Sequence, residues 1–420
     1  MAKKTEKTEY NSLEELMKVI NTFKDYGIPV PKDLLDKKKE FEQAEKEIKS
    51  SKTYIYDTLK ANAPFKPIDP EKLKCIEEPA CELMKKEPDA DEPCLLLGKI
   101  QCGKTDTFEN IIGLCFDKGI DIAIVLTKGT KTLTQQTIKR LQKDFKPLTP
   151  NNSTKQRAGV EIQDIMDIHR TGMSKQRVDS YKQIIVCKKE STNMKHLINL
   201  FTAKCPWLKE KKVLVVDDEA DFASRNYRKA HRTPLINSDG EAVAQDSNYS
   251  LAIISDQIDE FRHIPTFCRY LQVTATPYSL YLQPQGELNL YDGKTSTQKK
   301  VMPFRPRYTG LVPTHKRYIG GEQYFGEPSK NKESMYSHLF HCLTQECVDI
   351  MGKKDERYIT GGVASAKIYG LTSALASYFM ATAIRRIDQC GKTKIYNSSA
   401  LIHVEVAKRY HEWQRRLVER

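Results

Sequence analysis

One short run of residues constrains the fold of this chain more than any other feature. Residues 98–105 read Gly-Lys-Ile-Gln-Cys-Gly-Lys-Thr, a complete G-x-x-x-x-G-K-T motif. The apolar run Cys94–Leu97 precedes it, and Thr107–Phe116 follows it with a helical pattern. In this strand–loop–helix setting the glycines allow backbone N–H groups to curl around phosphate oxygens at a helix N-terminus. The motif therefore predicts an α/β fold with a phosphate-binding loop.

The residues of this loop predict its ligands. Gly98 and Gly103 leave room for phosphate against the backbone, and Lys104 can reach the β- and γ-phosphates of a nucleoside triphosphate. The Thr105 hydroxyl can coordinate Mg²⁺. We therefore expect ATP and Mg²⁺ to bind here in contact with these residues. A chance match in a loop that contains Gly and Lys is the alternative.

A second motif weakens that alternative. Residues 213–221 read Val-Leu-Val-Val-Asp-Asp-Glu-Ala-Asp, an apolar strand that ends in an acidic cluster. A carboxylate at a strand end beside a phosphate loop can hold Mg²⁺ through water, and the next carboxylate can deprotonate the attacking water. We assign Asp218 to Mg²⁺ and Glu219 to the general base. Asp217 would take the Mg²⁺ role only if the alignment of the acidic motif were shifted. A solvated acidic loop after a core strand is the alternative.

A third segment follows these two motifs in the chain. Residues 271–277 read Leu-Gln-Val-Thr-Ala-Thr-Pro, a strand that ends in two hydroxyl side chains, Thr274 and Thr276. Both hydroxyls can hydrogen-bond toward the acidic cluster and couple it to the rest of the site. Threonines at strand ends are common, so this segment is informative because of its place after the other two motifs.

Short apolar runs separated by helical patterns predict a parallel sheet. Runs that are apolar almost throughout are typical of strands buried on both faces between layers of helices. The candidate strands are Cys94–Leu97, Ile120–Leu126, Gln183–Val186, Val213–Val216 and Tyr270–Val273.

The same patterns divide the 420 residues into regions. Residues 1–62 are expected to form a helical N-terminal region, in which 32–56 are a solvated helical arm or hairpin with balanced charge. Residues 75–285 are expected to form the phosphate-loop lobe, and residues 286–345, which are rich in Gly, Pro and Tyr, an irregular connector. Residues 346–420 are expected to be the helical start of a second lobe.

The three motifs carry a family resemblance. The phosphate loop, the Asp-Glu-Ala-Asp of the acidic cluster and the Thr-Ala-Thr segment resemble motifs I, II and III of superfamily 2 helicases and translocases. More narrowly, they resemble the Z-one domain, whose family is named as an endonuclease. Segments 318–326, 383–386 and 401–404 also resemble parts of that family, so the resemblance extends over about residues 90–405.

The resemblance implies a RecA-like P-loop NTPase lobe of the kind found in prokaryotic restriction or anti-phage systems, with DNA favoured over RNA. It adds Gln101 to the residues that contact the nucleotide, and it places Thr127 and Lys128 where motif Ia touches the nucleic-acid backbone. A polar loop that leaves a sheet is the alternative for those two residues. No independent nuclease site accompanies the endonuclease label, because Asp218 and Glu219 already serve ATP chemistry.

The second lobe of such motors supplies an arginine that stabilises transition-state charge, and the second lobe is incomplete here. No strand-plus-arginine pattern typical of motifs V and VI follows the connector. Either the sequence is a fragment, or a partner protein supplies the second lobe or a nuclease. Arg385 and Arg386, which follow the apolar run Leu371–Ile384, are candidates for that arginine. A basic helix end that complements the helix dipole is the alternative.

Charge and cysteine usage bear on partners and location. The chain has 68 Lys and Arg against 55 Asp and Glu, and the net charge of +13 favours a polyanion such as nucleic acid. The N-terminal sequence has no apolar segment after its first charges, and no run reaches the roughly 20 apolar residues that a bilayer requires. The 11 cysteines include no Cys-x-x-Cys pair. We expect a cytoplasmic protein without a membrane partner.

Together these features predict an ATP-hydrolysing, helicase-like motor or translocase that acts on nucleic acid. Two alternatives stay open. One is a nucleotide-gated nucleic-acid-binding module that hydrolyses ATP poorly without a partner. The other is an endonuclease component that needs a partner subunit.

Overall fold

The structure is a computed structural model of the chain. It divides into two compact units, Met1–Tyr318 and Ile319–Arg420. The described residues are 13–39, 54–62, 69–85, 92–128, 130–150, 159–221, 227–229, 249–251, 253–283, 288–291, 298–301, 304–316, 318–326, 330–338, 341–353, 368–389, 396–403, 412, 415 and 418.

A seven-stranded sheet forms the centre of the first unit, and two short antiparallel pairs, β6–β7 and β9–β10, accompany it. The strands in chain order are β1 (Cys94–Leu97), β2 (Ile122–Thr127), β3 (Gly159–Asp164), β4 (Tyr181–Lys188), β5 (Lys212–Asp218), β6 (Tyr227–Lys229), β7 (Tyr249–Leu251), β8 (Phe267–Thr274), β9 (Leu288–Tyr291), β10 (Gln298–Val301) and β11 (Tyr308–Leu311).

The order of strands in the large sheet is β11-β1-β8-β5-β2-β4-β3, and every neighbouring pair is parallel. The phosphate-loop strand β1 therefore lies one strand away from β5, which carries the acidic cluster, and β8 lies between them. Because the strands are parallel, the three predicted motifs follow their strands at the same edge of the sheet. The predicted α/β fold with a parallel sheet is confirmed.

Helices cover both faces of this sheet. In chain order the described α-helices of the first unit are α1 (Leu13–Asp25), α2 (32–39), α3 (Tyr54–Ala61), α4 (Pro70–Leu83), α5 (Lys104–Asp117), α6 (Lys131–Asp144), α7 (Ile165–Thr171), α8 (Lys175–Ser180), α9 (Ser191–Asn199), α10 (Ile253–Arg262) and α11 (Tyr278–Tyr281). Of these, α1 and α2 pack with each other in a separate apolar cluster. In the second unit the described helices include α12 (Gly321–Phe325), α13 (Gln345–Lys353) and α14 (Tyr369–Asp388).

Strand β2 shows why the central strands could be predicted from the sequence. All its residues are buried, and alternate side chains enter different cores. Ile122 and Ile124 pack with side chains of α9 and α10, whereas Ala123 and Val125 pack with side chains of α5 and α6. Burial of each larger aliphatic side chain stabilises the fold by about 1.5–3 kcal/mol. A strand covered on both faces therefore needs an apolar residue at nearly every position.

The five predicted strands are present, and four of them are longer than predicted or shifted by one or two residues. Strands β3 and β11 were not predicted. β11 lies in the segment expected to be an irregular connector, yet it pairs with β1 in the register Cys94↔Tyr308 to Leu97↔Leu311. The expectation of irregular structure is therefore wrong for these residues, which complete the sheet beside the phosphate-loop strand.

The helix α3 corrects the prediction of a solvated arm for the last residues of that segment, 54–56. Ile55, Tyr56 and Leu59 are buried in the same core cluster as side chains of α5. The carboxylate of Asp117, at the end of α5, accepts hydrogen bonds from the N–H groups of Ile55 at 3.0 Å and Tyr56 at 2.9 Å. These bonds satisfy N–H groups that a helix N-terminus leaves without partners. The apolar face of α3 therefore belongs to the lobe, while residues 40–53 of the predicted arm lie outside the described residues.

A buried carboxyl group on α5 predicts a pH-dependent stability. Glu109 is 2% exposed, and burial, with a further contribution from Asp144, raises its pKa from 4.5 to about 9. Between these values the folded state keeps a proton that the unfolded state loses, so stability falls as pH rises. Glu109→Gln stays neutral, and we expect it to exceed the wild type in unfolding free energy by about 2 kcal/mol at pH 8 and by less at pH 5.

Urea unfolding at both pH values measures this difference. Glu77→Gln, on the exposed face of α4, is the matched control. A gain from Glu109→Gln that is equal at pH 5 and pH 8 contradicts the prediction.

In the second unit, α14 contains the apolar helix predicted for Leu371–Ile384. Arg385 and Arg386 are exposed on its last turn, where their charges complement the helix dipole. The Nε of Arg386 donates to the carbonyl oxygen of Tyr396 at 3.3 Å. Their role as transition-state arginines stays a prediction. Within the described residues, no helix combines the length and the apolar character that crossing a membrane requires.

Candidate nucleotide-binding site

The predicted phosphate loop leaves β1 and enters α5 directly. Gly103 is the N-cap of α5 and has a φ of 100°, in the left-handed region that glycine adopts without strain. At Gly98 a Cβ atom would lie 2.6 Å from the Sγ of Cys102, 2.9 Å from the Cγ of Lys104 and 3.0 Å from the Cβ of Val312, so a side chain there would crowd three neighbouring side chains. The backbone conformation therefore favours glycine at 103, and close packing favours it at 98.

The two polar side chains that end the motif lie in the first turn of α5. The Nζ of Lys104 donates to the carbonyl oxygens of Gly98 at 3.1 Å and Lys99 at 3.0 Å, and these bonds hold the ammonium against the loop backbone. Thr105 is half-buried beside it. The N-terminal N–H groups and the dipole of α5 add positive potential at this point. The loop therefore combines the features of an anion-binding site.

Asp217 is turned into the protein interior. Its side chain has no exposed surface. One carboxylate oxygen accepts a hydrogen bond from the Nζ of Lys189 at 2.9 Å, and the other accepts one from the hydroxyl of Tyr270 at 2.8 Å. Both oxygens are therefore engaged within the lobe. This argues against Asp217 as the Mg²⁺ residue and leaves Asp218 as the strand-end carboxylate.

Asp218 and Glu219 lie at the carboxyl end of β5. Burial raises the pKa of Asp218 to about 6, and repulsion from Glu219 adds to the rise, whereas the ammonium groups of Lys189 and Lys104 act against it. The contribution from Lys104 means that the phosphate-loop lysine and the strand-end carboxylate are close enough to interact electrostatically. Glu219 is exposed, so its carboxylate is accessible to water.

Hydrogen bonds join the three predicted motifs. The N–H of Gly98 donates to the carbonyl oxygen of Thr274 at 3.2 Å. The hydroxyls of Thr274 and Thr276 donate to the two carboxylate oxygens of Asp221, each at 2.7 Å. Burial works to raise the pKa of Asp221, but these two hydrogen bonds, together with a backbone hydrogen bond and the charge of Lys189, outweigh it and hold the pKa below its ordinary value. The hydrogen bonds predicted from the threonines to the acidic cluster are present, and their coupling role stays a prediction.

Backbone strain coincides with the predicted site. Among the described residues, Gln101 and Glu219 are the two non-glycine residues with a left-handed backbone, with φ of 58° and 56°. Such a conformation costs on the order of 1 kcal/mol and persists where the surroundings enforce it. One of these residues lies in the phosphate loop and the other in the acidic cluster, which supports a functional role for both motifs.

The structure buries the side chain of one of the two residues predicted to contact nucleic acid. Thr127 is 2% exposed, and its hydroxyl lies 3.3 Å from the hydroxyl of Thr134 on α6. The prediction followed the position of motif Ia in the resembled family, and here the threonine can be buried because its hydroxyl finds a partner. Lys128, the next residue, is exposed and stays a predicted contact.

Sequence reasoning missed Lys189, which immediately follows β4. Its ammonium is buried and donates to the carbonyl oxygens of Asp218 at 2.8 Å and Glu219 at 2.6 Å, in addition to the carboxylate of Asp217. A pair of lysines at a strand end resembles an exposed basic turn. The available signal was the acidic run itself, because adjacent aspartates after a buried strand require a cation nearby.

Tyr318 is a second residue that the prediction missed. Its hydroxyl donates to the carbonyl oxygen of Ile100 in the phosphate loop at 2.7 Å, and the Nζ of Lys99 lies 5.9 Å from the centre of its ring. The chain leaves β11 through Val312, whose N–H donates to the carbonyl oxygen of Leu97 at 2.8 Å. Residues after β11 therefore support the phosphate loop. The available signal was the family resemblance of segment 318–326.

The residues present fit Mg²⁺ at a bound nucleotide. In the described ranges, no group of three or more His, Cys, Asp or Glu side chains is arranged to hold a metal ion. Mg²⁺ does not require such a group, because it is usually bound by one or two protein ligands together with substrate phosphates and water. The Thr105 hydroxyl and the Asp218 carboxylate are oxygen donors of that kind.

Comparison with known proteins adds little beyond the fold. No family model matches the sequence, and no curated protein sequence matches it. Among solved structures, the chain is similar to the DUF1998 helicase MrfA bound to DNA and AMPPNP, with 11% sequence identity and a TM-score of 0.33. The match covers 62% of this chain and 29% of the length of that helicase. A likeness this weak assigns no activity, and the Z-one resemblance stays a prediction.

Proposed function

We propose that this chain binds and hydrolyses ATP with Mg²⁺ and acts on nucleic acid as a helicase-like motor or translocase. The observation that carries the proposal is the set of hydrogen bonds from Gly98 to Thr274 and from Thr274 to Asp221, which joins the phosphate loop to the acidic cluster. Three motifs that are far apart in sequence thereby meet at one edge of a parallel sheet. Ligands of open α/β sheets bind at this edge.

The chemistry follows from the residues at that edge. The loop N–H groups and Lys104 would bind the phosphates, and Thr105 and Asp218 would hold Mg²⁺, which supplies positive charge at the β- and γ-phosphates. Glu219 would take a proton from water while the water oxygen bonds to the γ-phosphorus and the bond to the bridging oxygen of ADP breaks. The products are ADP and phosphate.

Nucleic acid is the proposed partner because the chain is basic and because Lys128 is exposed where β2 ends, at the same sheet edge. DNA and a restriction or anti-phage setting come from the family resemblance alone. A partner protein that supplies a second lobe or a nuclease is part of the same proposal.

Replacing Lys128 with alanine is expected to weaken binding to DNA of any sequence by about two- to tenfold and to reduce the salt slope of binding by about 1, as loss of one phosphate contact does. Fluorescence anisotropy at several salt concentrations measures both quantities. Lys143→Ala, exposed in the last turn of α6, is the control. An equal loss in both variants means that only overall charge matters.

One assay tests the proposed function against its alternatives. ATP turnover of the full chain is measured with Mg²⁺, with and without single-stranded and double-stranded DNA, and the DNA is then run on a gel. DNA-stimulated turnover with intact DNA supports the motor. Saturable ATP binding with negligible turnover favours a nucleotide-gated binding module, and cleaved DNA favours an endonuclease component.

A further inference from the structure

Lys189 is a buried lysine with an acceptor for each proton of its ammonium group. The Nζ donates to the carboxylate of Asp217 at 2.9 Å and to the carbonyl oxygens of Asp218 at 2.8 Å and Glu219 at 2.6 Å. A buried charge is tolerated only when it is paired and fully hydrogen-bonded. One acceptor here is the compensating charge, and the other two belong to the backbone of the proposed catalytic pair.

These two carbonyl contacts complete the hydrogen bonding of the ammonium and also constrain the backbone that supplies them. They fix the peptide groups on both sides of the Glu219 Cα, where the backbone is left-handed with a φ of 56°. The next N–H, that of Ala220, donates to the carbonyl oxygen of Val273 on β8 at 3.0 Å. The turn at Glu219 is therefore held from β4 through Lys189 and from β8 through Ala220.

Lys189 is itself fixed in place. Its N–H donates to the carbonyl oxygen of Thr127 at the end of β2, at 2.8 Å. Asp217 is fixed in turn by the hydroxyl of Tyr270 at 2.8 Å. The ammonium therefore has a defined position under the turn, which allows it to determine the backbone conformation there.

We propose that Lys189 is a positioning residue, whose ammonium holds the left-handed turn that directs the carboxylates of Asp218 and Glu219 toward the phosphate loop. The inference rests on the proposed ATP hydrolysis and adds a residue that affects its rate. Lys189 acts through the turn and does not contact the nucleotide, because its side chain is buried.

The test separates positioning from charge compensation. Lys189→Met alone leaves the Asp217 carboxylate buried without a cation and is expected to lower stability. The double variant Lys189→Met with Asp217→Asn removes both charges at nearly constant volume, and Tyr270 keeps an amide oxygen to donate to. We expect this double variant to be more thermally stable than Lys189→Met alone and to bind ATP within about twofold of the wild type, yet to lose about tenfold or more in kcat, since displaced catalytic groups act poorly.

Hydrogen exchange provides a readout that does not depend on turnover. The amide of Ala220 is protected by its bond to Val273, so its exchange rate reports on the turn at Glu219. In the double variant we expect exchange at this amide to be faster than in the wild type. Lys182→Met is the matched control, because it removes a lysine from the opposite end of β4, where Lys182 pairs with Asp121 at 3.1 Å. Its turnover and its exchange at Ala220 are expected to match the wild type.

The outcomes distinguish failure of the positioning role from failure of the proposed ATP hydrolysis. A double variant with wild-type kcat and wild-type protection at Ala220 overturns the inference, since Lys189 then only neutralises Asp217. If the wild-type chain shows no ATP turnover, the proposed function fails, and exchange at Ala220 alone decides the positioning role. Faster exchange in the double variant then supports it, and unchanged exchange rejects it.

Discussion

Replacing Lys104 with alanine is expected to lower ATP turnover by about 100- to 1,000-fold, the loss observed when one preorganised donor is removed from a site of developing negative charge. The structure holds this ammonium in the phosphate loop by two hydrogen bonds to the carbonyl oxygens of Gly98 and Lys99. It also lowers the pKa of Asp218 and so interacts with the strand-end carboxylate. Alanine keeps the helix of α5 intact, because it is the residue with the highest helix propensity.

Steady-state turnover at saturating ATP and Mg²⁺ measures this effect, and a thermal melt verifies that the variant is folded. Lys99→Ala is the matched control, because it removes the same charge from an exposed position in the same loop. We expect the control to lose less than about tenfold, since Lys99 lies outside the predicted phosphate contacts. Turnover retained in Lys104→Ala rejects the assignment of residues 98–105 as an ATP-binding loop.

The central part of the fold could be predicted because its strands are buried on both faces. β2 is apolar along almost its whole length and β5 contains the continuous apolar run Val213–Val216, whereas the apolar run of β8 is interrupted by Arg269 and Gln272. The edge strands lack this signal. β3 contains Glu161, whose carboxylate is engaged by Arg177 and by the side chain of Gln183 at 3.2 Å. β11 has only the residues Tyr-Thr-Gly-Leu, within a segment whose composition is typical of loops.

The site could be predicted where chemistry fixes residue type and spacing. Phosphate and metal binding would use residue types such as the glycines and Lys104 of the loop and the carboxylates at the end of β5, and the spacing of the loop motif is visible in the sequence. Lys189 and Tyr318 act through tertiary contacts, and no local pattern requires a lysine or a tyrosine at those positions. Thr127 was assigned from its motif position alone, and that position did not show that a hydroxyl partner on α6 allows its side chain to be buried.

The second large effect is expected for Glu219→Gln. This change keeps the size of the side chain and removes its ability to accept a proton, so we expect kcat to fall by about 100- to 10,000-fold while ATP affinity changes little. Glu219 is exposed at the end of β5 and lies next to Asp218, whose pKa it helps to raise. Loss of the Glu219 charge should therefore also make Asp218 a stronger acid, which does not impair nucleotide binding.

Binding of a fluorescent ATP analogue and single-turnover hydrolysis separate the two effects of this variant. Glu210→Gln is the control, since Glu210 is exposed just before β5, at the opposite edge of the sheet, and is expected to leave turnover unchanged. A parallel loss of affinity and kcat places Glu219 in nucleotide binding rather than in proton transfer. Metal-dependent DNA cleavage that survives Glu219→Gln requires a nuclease site separate from the acidic cluster. That result would favour the endonuclease alternative.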